Sequence, residues 1–319
     1  MRYLIASYNT TPTIYEIIQE EAFKVIPHLV NSIPSYMVND NKYIYVANKS
    51  GGISIYDFHL QLIAECIDEH PYTHICVNNS KIVAVSYRDG ISSLFEYKDT
   101  LIKRFEYQHH GSHHDPHKRQ ESAHPHFITP LTNNKYLMCD LGSNALTTLQ
   151  DDDEQITEYT HQSIIFDNSC GPRHLMFQKD QTSFLLVNEV NNTLVLLSFP
   201  DYSVLDTISL GEDTTKLNEI THSLSAIRYN EANDTYYVSD RNHFDVSKVW
   251  AIKVINNKLE VINTTNVGKH PRDIYIDGTL LLVACMLDDT VEIYDISTNT
   301  KITTLPIIEP VCVLPLKEE

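Results

Sequence analysis

Residues 172–208 read PRHLMFQKDQTSFLLVNEVNNTLVLLSFPDYSVLDTI. Four β-rich runs stand in this stretch, at 172–176, 184–189, 193–198 and 204–208. Across these runs and their repeats along the chain Val, Ile, Thr and Tyr are abundant, two-residue alternation recurs, and Asn, Asp and Gly fill the gaps. That pattern argues for strands over helices. The quartet recurs. Its second run returns at 3–8, 43–48, 82–87, 136–140, 236–241 and 281–285, at intervals of roughly 40 to 54 residues, the range of a four-stranded propeller blade.

The first run, usually opened by proline, returns as 34–37, 71–75, 125–128, 225–229 and 271–275. Third runs stand at 53–57 and 290–295, fourth runs at 62–66 and 301–305. The earliest unit lacks its opening run, while Pro310-Val-Cys-Val-Leu314 is an opening run with no unit to follow it. The sequence therefore predicts an all-β fold, a seven-bladed β-propeller of four-stranded antiparallel blades forming a single domain over 1–319. Its C-terminal strand joins the N-terminal blade, a closure that removes the exposed blade faces of an open array.

The composition fits a globular protein, with 42% hydrophobic and 21% charged residues. A net charge of −18 with no basic cluster argues against nucleic acid as a partner. No apolar run reaches the length of a membrane span, and the first residues do not form a signal peptide, so the expected compartment is the cytoplasm. Six cysteines stand singly, without a C-x-x-C pair, as buried thiols would in a reducing compartment.

Polar residues collect at the starts of the first runs and the ends of the second. These are His126, Arg173, His174, Glu189, Arg241 and Arg272, with His126 placed in the slot that His74, His174 and Asp273 fill in other units. An imidazole near neutrality can deprotonate water, and guanidinium groups can hold an oxyanion or grip a phosphate. The plainer alternatives are equally concrete: His126 packing at a strand entry, Arg173 and Arg241 as ion-pair partners of Glu189, His174 as a hydrogen-bonded structural residue, Arg272 as a brace. Five of the nine residues 109–117 are histidine, but Gly, Ser and Pro interrupt them and no H-E-x-x-H or cysteine partner accompanies them. They are expected to form a mobile loop with no metal. The acidic run 151–154 is expected to be a solvated turn.

The stretch 111–126, GSHHDPHKRQESAHPH, followed by Asp140-Leu-Gly142, resembles the 6-phosphogluconolactonase family of seven-bladed propellers, in a superfamily shared with fungal carboxymuconate-lactonizing enzymes. Gly171-Pro-Arg-His174, Asn188-Glu189, Asp240-Arg241, Gly268-Lys-His-Pro-Arg272 and Pro310-Val-Cys312 extend the resemblance along the chain. It implies a carboxylic ester hydrolase without a cofactor, converting 6-phospho-D-glucono-1,5-lactone to 6-phosphogluconate in the pentose phosphate pathway. It also implies His126, Arg173, Glu189 and Arg241 as catalytic residues, with His126 or Glu189 as base, and His124, His174 and Arg272 as binders of a small anionic lactone. Departures from the family pattern at Ser7-Tyr8-Asn9-Thr10, Lys49 and Cys285-Met286 leave two alternatives: a noncatalytic binding or scaffold propeller, and an enzyme for another carboxylated lactone.

Overall fold

The computed structural model describes residues 1–316 other than 133, 243 and 245, and of residue 161 the backbone alone. Among the described residues the strands form seven sheets in chain order, the blades numbered here one to seven. Blade two shows the common plan: Pro34–Asn39, Ile44–Asn48, Ile53–Tyr56 and Leu62–Cys66 pair successively and antiparallel. The strand Pro310–Leu316 is the edge of blade one, beside Arg2–Ser7, so the predicted closure is present. Blade four departs slightly. Its outer edge is shared by two short strands, Ile156–Glu158 and Ile164–Ile165, both paired to Ala145–Asp151.

Two compact units divide these sheets. The first holds residues 1–113, 122–165 and 311–319, and the second holds 114–121 and 166–310. Each has its own apolar interior. In the first, Val83, Val85 and Leu94 of blade three pack with Ile128, Tyr136, Met138 and Leu149 of blade four. In the second, Leu185, Val187 and Leu196 of blade five meet Leu224, Tyr236, Val238 and Ile252 of blade six. Alternation along each strand supplies these faces, and each fully buried large aliphatic side chain contributes about 1.5–3 kcal/mol. The chain has only nine glycines. Asn144, Asn192, Asp234, Asn256, Asn257, Asp289 and Asn299 take left-handed turn positions instead.

The register at the blade entries corrects one expectation. In blade four, Pro125 pairs with Asp140 and Phe127 with Cys139, leaving His126 as an extra, bulged residue. Blade five repeats the pattern, with Pro172 opposite Asn188 and His174 opposite Val187 around Arg173. Blade seven repeats it again, with Pro271 opposite Cys285 and Asp273 opposite Ala284 around Arg272. His126 is therefore the counterpart of Arg173 and Arg272. Phe127, not His126, fills the slot of His74, His174 and Asp273. A bulge re-aims one side chain and ends regular pairing, so a single entry plan presents a different reactive residue in each blade.

Candidate active site

The second unit assembles a compact charged centre. Arg173 Nη1 donates to Glu189 Oε2, and Arg241 Nη2 lies 2.9 Å from the same oxygen. Arg173 and Arg241 are only 4% and 5% exposed. Local sequence places them. Arg173 is the bulged residue after Pro172, and Glu189 directly follows the strand Ser183–Asn188. The two ends are zipped together by Glu189 N–H donating to Gly171 O at 2.8 Å and Val190 N–H to Cys170 O at 2.9 Å. Gly171 has φ +66, and a Cβ there would stand 2.3 Å from Val190 Cγ2, so this closeness requires glycine. Arg241, near the end of Thr235–Asn242, is steadied by Nε donating to Ser223 O at 3.2 Å.

Charge in this centre is unbalanced. Burial foremost, then the positive charge of Arg241 and of Arg272, pulls the Arg173 pKa down to about 9, against the opposing pull of Glu189. Burial also lowers Arg241, with Glu189 opposing and Arg272 assisting. Two buried guanidinium groups, those of Arg173 and Arg241, thus share one carboxylate. Arg173 Nε is buried without a hydrogen-bond partner among the described residues. A guanidinium carries five N–H donors, so the centre holds unspent capacity to bind an anion. Arg272 precedes Asp273, a carboxylate that accepts from Arg228 Nη2 at 2.6 Å. The Arg272 carbonyl accepts from the Ser225 hydroxyl at 2.8 Å. His174 is buried at the next position along from Arg173.

Near Arg241 stands a pair the sequence reading passed over. His222 Nδ1 is 3.4 Å from Asp240 Oδ2, and that carboxylate raises the histidine pKa. The only sequence hint was Asp240 preceding Arg241.

His124 and His126 belong to the first unit. His126 is 6% exposed, its ring edge-on to Tyr87 with centroids 5.7 Å apart. His124 stacks on Tyr87 at 4.4 Å, places Nδ1 2.7 Å from Tyr87 O, and donates its N–H to Asp140 Oδ1 at 2.7 Å. Ser143 N–H reaches the same oxygen at 2.9 Å, so Asp140 of the D-x-G motif ties the entry of blade four to its turn. Lys49 is occupied over the Tyr8 ring at 3.9 Å.

The histidine-rich stretch is tethered rather than mobile. His109 is buried with Nε2 2.8 Å from Ser92 Oγ, and His117 Nε2 is 2.9 Å from Thr214 O. No group of three His, Cys, Asp or Glu side chains among the described residues could hold a metal ion. The acidic run also differs from expectation at its first member, since Asp151 is 1% exposed and held by Lys81.

In this repeated-blade fold one bulged blade entry and the end of a second strand bring two buried arginines onto one glutamate. The profile of the family described as Lactonase, 7-bladed beta-propeller matches residues 17–315, and the chain belongs to that family. An uncharacterized protein of Staphylococcus aureus (strain bovine RF122 / ET3-1) is 26% identical over 306 residues, covering 88% of each chain. Among solved structures, the periplasmic gluconolactonase PpgL of Pseudomonas aeruginosa superposes with a TM-score of 0.84 at 17% identity, covering 98% of each chain. A candidate 6-phosphogluconolactonase of Bacteroides fragilis NCTC 9343 gives 0.82 at 22% identity, covering 98% of this chain and 96% of the other. At these identities the two structures attest the fold.

Proposed function

We propose that this protein is a lactonase hydrolysing a sugar lactone that bears an anionic group, with 6-phospho-D-glucono-1,5-lactone as substrate and 6-phosphogluconate as product. The observation that carries the reading is the Arg173–Glu189–Arg241 centre, in which buried cations outnumber the carboxylate they share. Family membership supports lactone chemistry, and the relatives' names supply the substrate class. The six free thiols, five of them buried, support the cytoplasm as compartment, and the proposed substrate would set the protein in the pentose phosphate pathway.

In this reading Arg173 and Arg241 hold charge that develops on the acyl oxygen as water attacks, and Arg272 and His174 bind the substrate's anion. Glu189 keeps the two guanidinium groups in place. Both of them already bind its Oε2, so that oxygen is not available to take a proton from water. The base is assigned to His126, which its bulge presents as the bulges of blades five and seven present their arginines. His124, stacked on Tyr87, lends that entry its order. The water proton passes to the imidazole, the tetrahedral adduct collapses as the ring C–O bond breaks, the imidazolium returns that proton to the leaving ring oxygen, and the new carboxylic acid releases its own proton to solvent, giving the carboxylate and a free hydroxyl.

The test is hydrolysis of freshly prepared 6-phosphogluconolactone. Purified protein should exceed the spontaneous rate with and without chelator. Arg173→Gln should lower kcat/KM by about 10²–10³-fold, as loss of one oxyanion donor does elsewhere. His126→Ala should lower it by about 10²–10⁴-fold. A rate equal to the spontaneous one across phosphorylated and carboxylated lactones would leave a noncatalytic binding propeller in place of the enzyme.

A further inference from the structure

Residues 114–121 belong to the second unit although they precede blade four in sequence. Besides the Ser169 hydroxyl donating to His114 O, two of their side chains reach the same residue. Arg119 Nη2 donates to Thr214 Oγ1 at 2.9 Å, and His117 Nε2 lies 2.9 Å from Thr214 O. Thr214, fully buried in the short helix Thr214–Lys216, donates its own hydroxyl proton to Val190 O at 2.6 Å. Val190 is the residue after Glu189. Arg119 is itself fixed by Asp115, through Nε at 2.8 Å and the Arg119 N–H at 3.0 Å, and the Asp115 side chain is fully buried.

We infer that Arg119 and Thr214 are positioning residues for the arginine–glutamate centre, acting through Val190 to hold Glu189 between Arg173 and Arg241. The inference rests on the proposed anion site for its functional meaning. The geometry argues for a dedicated brace. A guanidinium that sits beside a buried carboxylate gives up solvation, and one of its donors is spent on a threonine whose hydroxyl in turn holds the Val190 carbonyl. On the other side of the same residue, Val190 N–H donates to Cys170 O. The residue after Glu189 is therefore fixed at both its amide and its carbonyl, the amide by the zipped entry of blade five and the carbonyl by Thr214, to which residues 114–121 are fastened as a strap.

Two measurements on the full chain decide the matter separately. The first needs no ligand: hydrogen exchange at the Glu189 and Val190 amides. Arg119→Gln and Thr214→Val should speed it at least tenfold at pH 7, with Arg119→Lys restoring most of the protection. Leu259→Ala, a core truncation in the same unit, should lower the melting temperature by a similar amount without the local effect. The second is affinity for inorganic phosphate. Arg119→Gln and Thr214→Val should weaken it about tenfold, and Leu259→Ala should not. Wild-type exchange at both amides in Thr214→Val would overturn the brace, as would unchanged phosphate affinity despite faster exchange. If phosphate fails to bind the wild-type protein, the anion-site reading falls, and the exchange data still decide for or against the brace.

Discussion

Replacing Glu189 with Gln removes the one carboxylate between two guanidinium groups while keeping the side-chain shape. Both arginine side chains are nearly dry, 4% and 6% exposed, and the carboxylate itself is 13% exposed. At an effective dielectric near 20, opposite charges about 4 Å apart attract by about 4 kcal/mol. Breaking a buried pair from one side costs about 3–5 kcal/mol, since the remaining charge stays buried. Gln still offers one acceptor oxygen, so the expected loss is about 3 kcal/mol. The sharper expectation is the sign of the coupling. In the double variant Glu189→Gln/Arg173→Gln one of the two stranded charges is gone, so it should be more stable than Glu189→Gln alone by about 1–2 kcal/mol. Urea unfolding of the wild-type protein, both single variants and the double variant supplies the cycle. Additive losses, or a double variant less stable than Glu189→Gln, would refute the view that excess buried positive charge defines this centre.

Other expectations follow from neighbouring features. The buried His109 has its pKa lowered to about 3, chiefly by burial and further by His110. The unfolded chain, near 6.5, binds the proton that the folded one refuses, so stability is complete above pH 6.5 and drains as pH falls toward 3. His109→Gln should flatten that slope in urea midpoints taken at pH 7 and pH 4.5. Gly171→Ala places a methyl 2.3 Å from Val190 Cγ2 at a left-handed backbone position, and should cost about 1–3 kcal/mol together with most of the lactone turnover. Truncation before Pro310 leaves Arg2–Ser7 as an unpaired edge, and light scattering at working concentration should show association that the full chain lacks.

The fold was legible because strand pairing writes a two-residue period and blade repetition writes a longer one. The opening run at Pro310 with no unit behind it even gave the closure. What strand periodicity could not show was the bulge after each proline. An extra residue shifts the alternation by one, which moved His126 from the slot of His174 to that of Arg173. The meeting of Arg173 with Glu189 was legible from the resemblance, and the unit's folding brings both onto Arg241. The strap was not. Its histidines drew attention as metal ligands, whereas Arg119, fixed by Asp115, and the single histidine His117 reach Thr214, and nothing local in sequence points from them to that residue. Likewise, Asp151 reads as one of four solvated acids until Lys81, distant in sequence, is brought against it.

The strand Pro310–Leu316 also sets a schedule for synthesis. The inner strands of blade one are made before those of the other blades, yet its edge strand follows every other strand among the described residues. Until then Arg2–Ser7 waits with half of its backbone groups unmatched, and joining the two closes a loop spanning nearly the whole polypeptide. Such a contact is entropically the most expensive the chain makes. Later blades can complete themselves from neighbouring segments as they emerge. The first cannot, so the earliest-made sheet should be the last to gain protection, and a nascent chain stalled before residue 310 should expose it to chaperones and proteases.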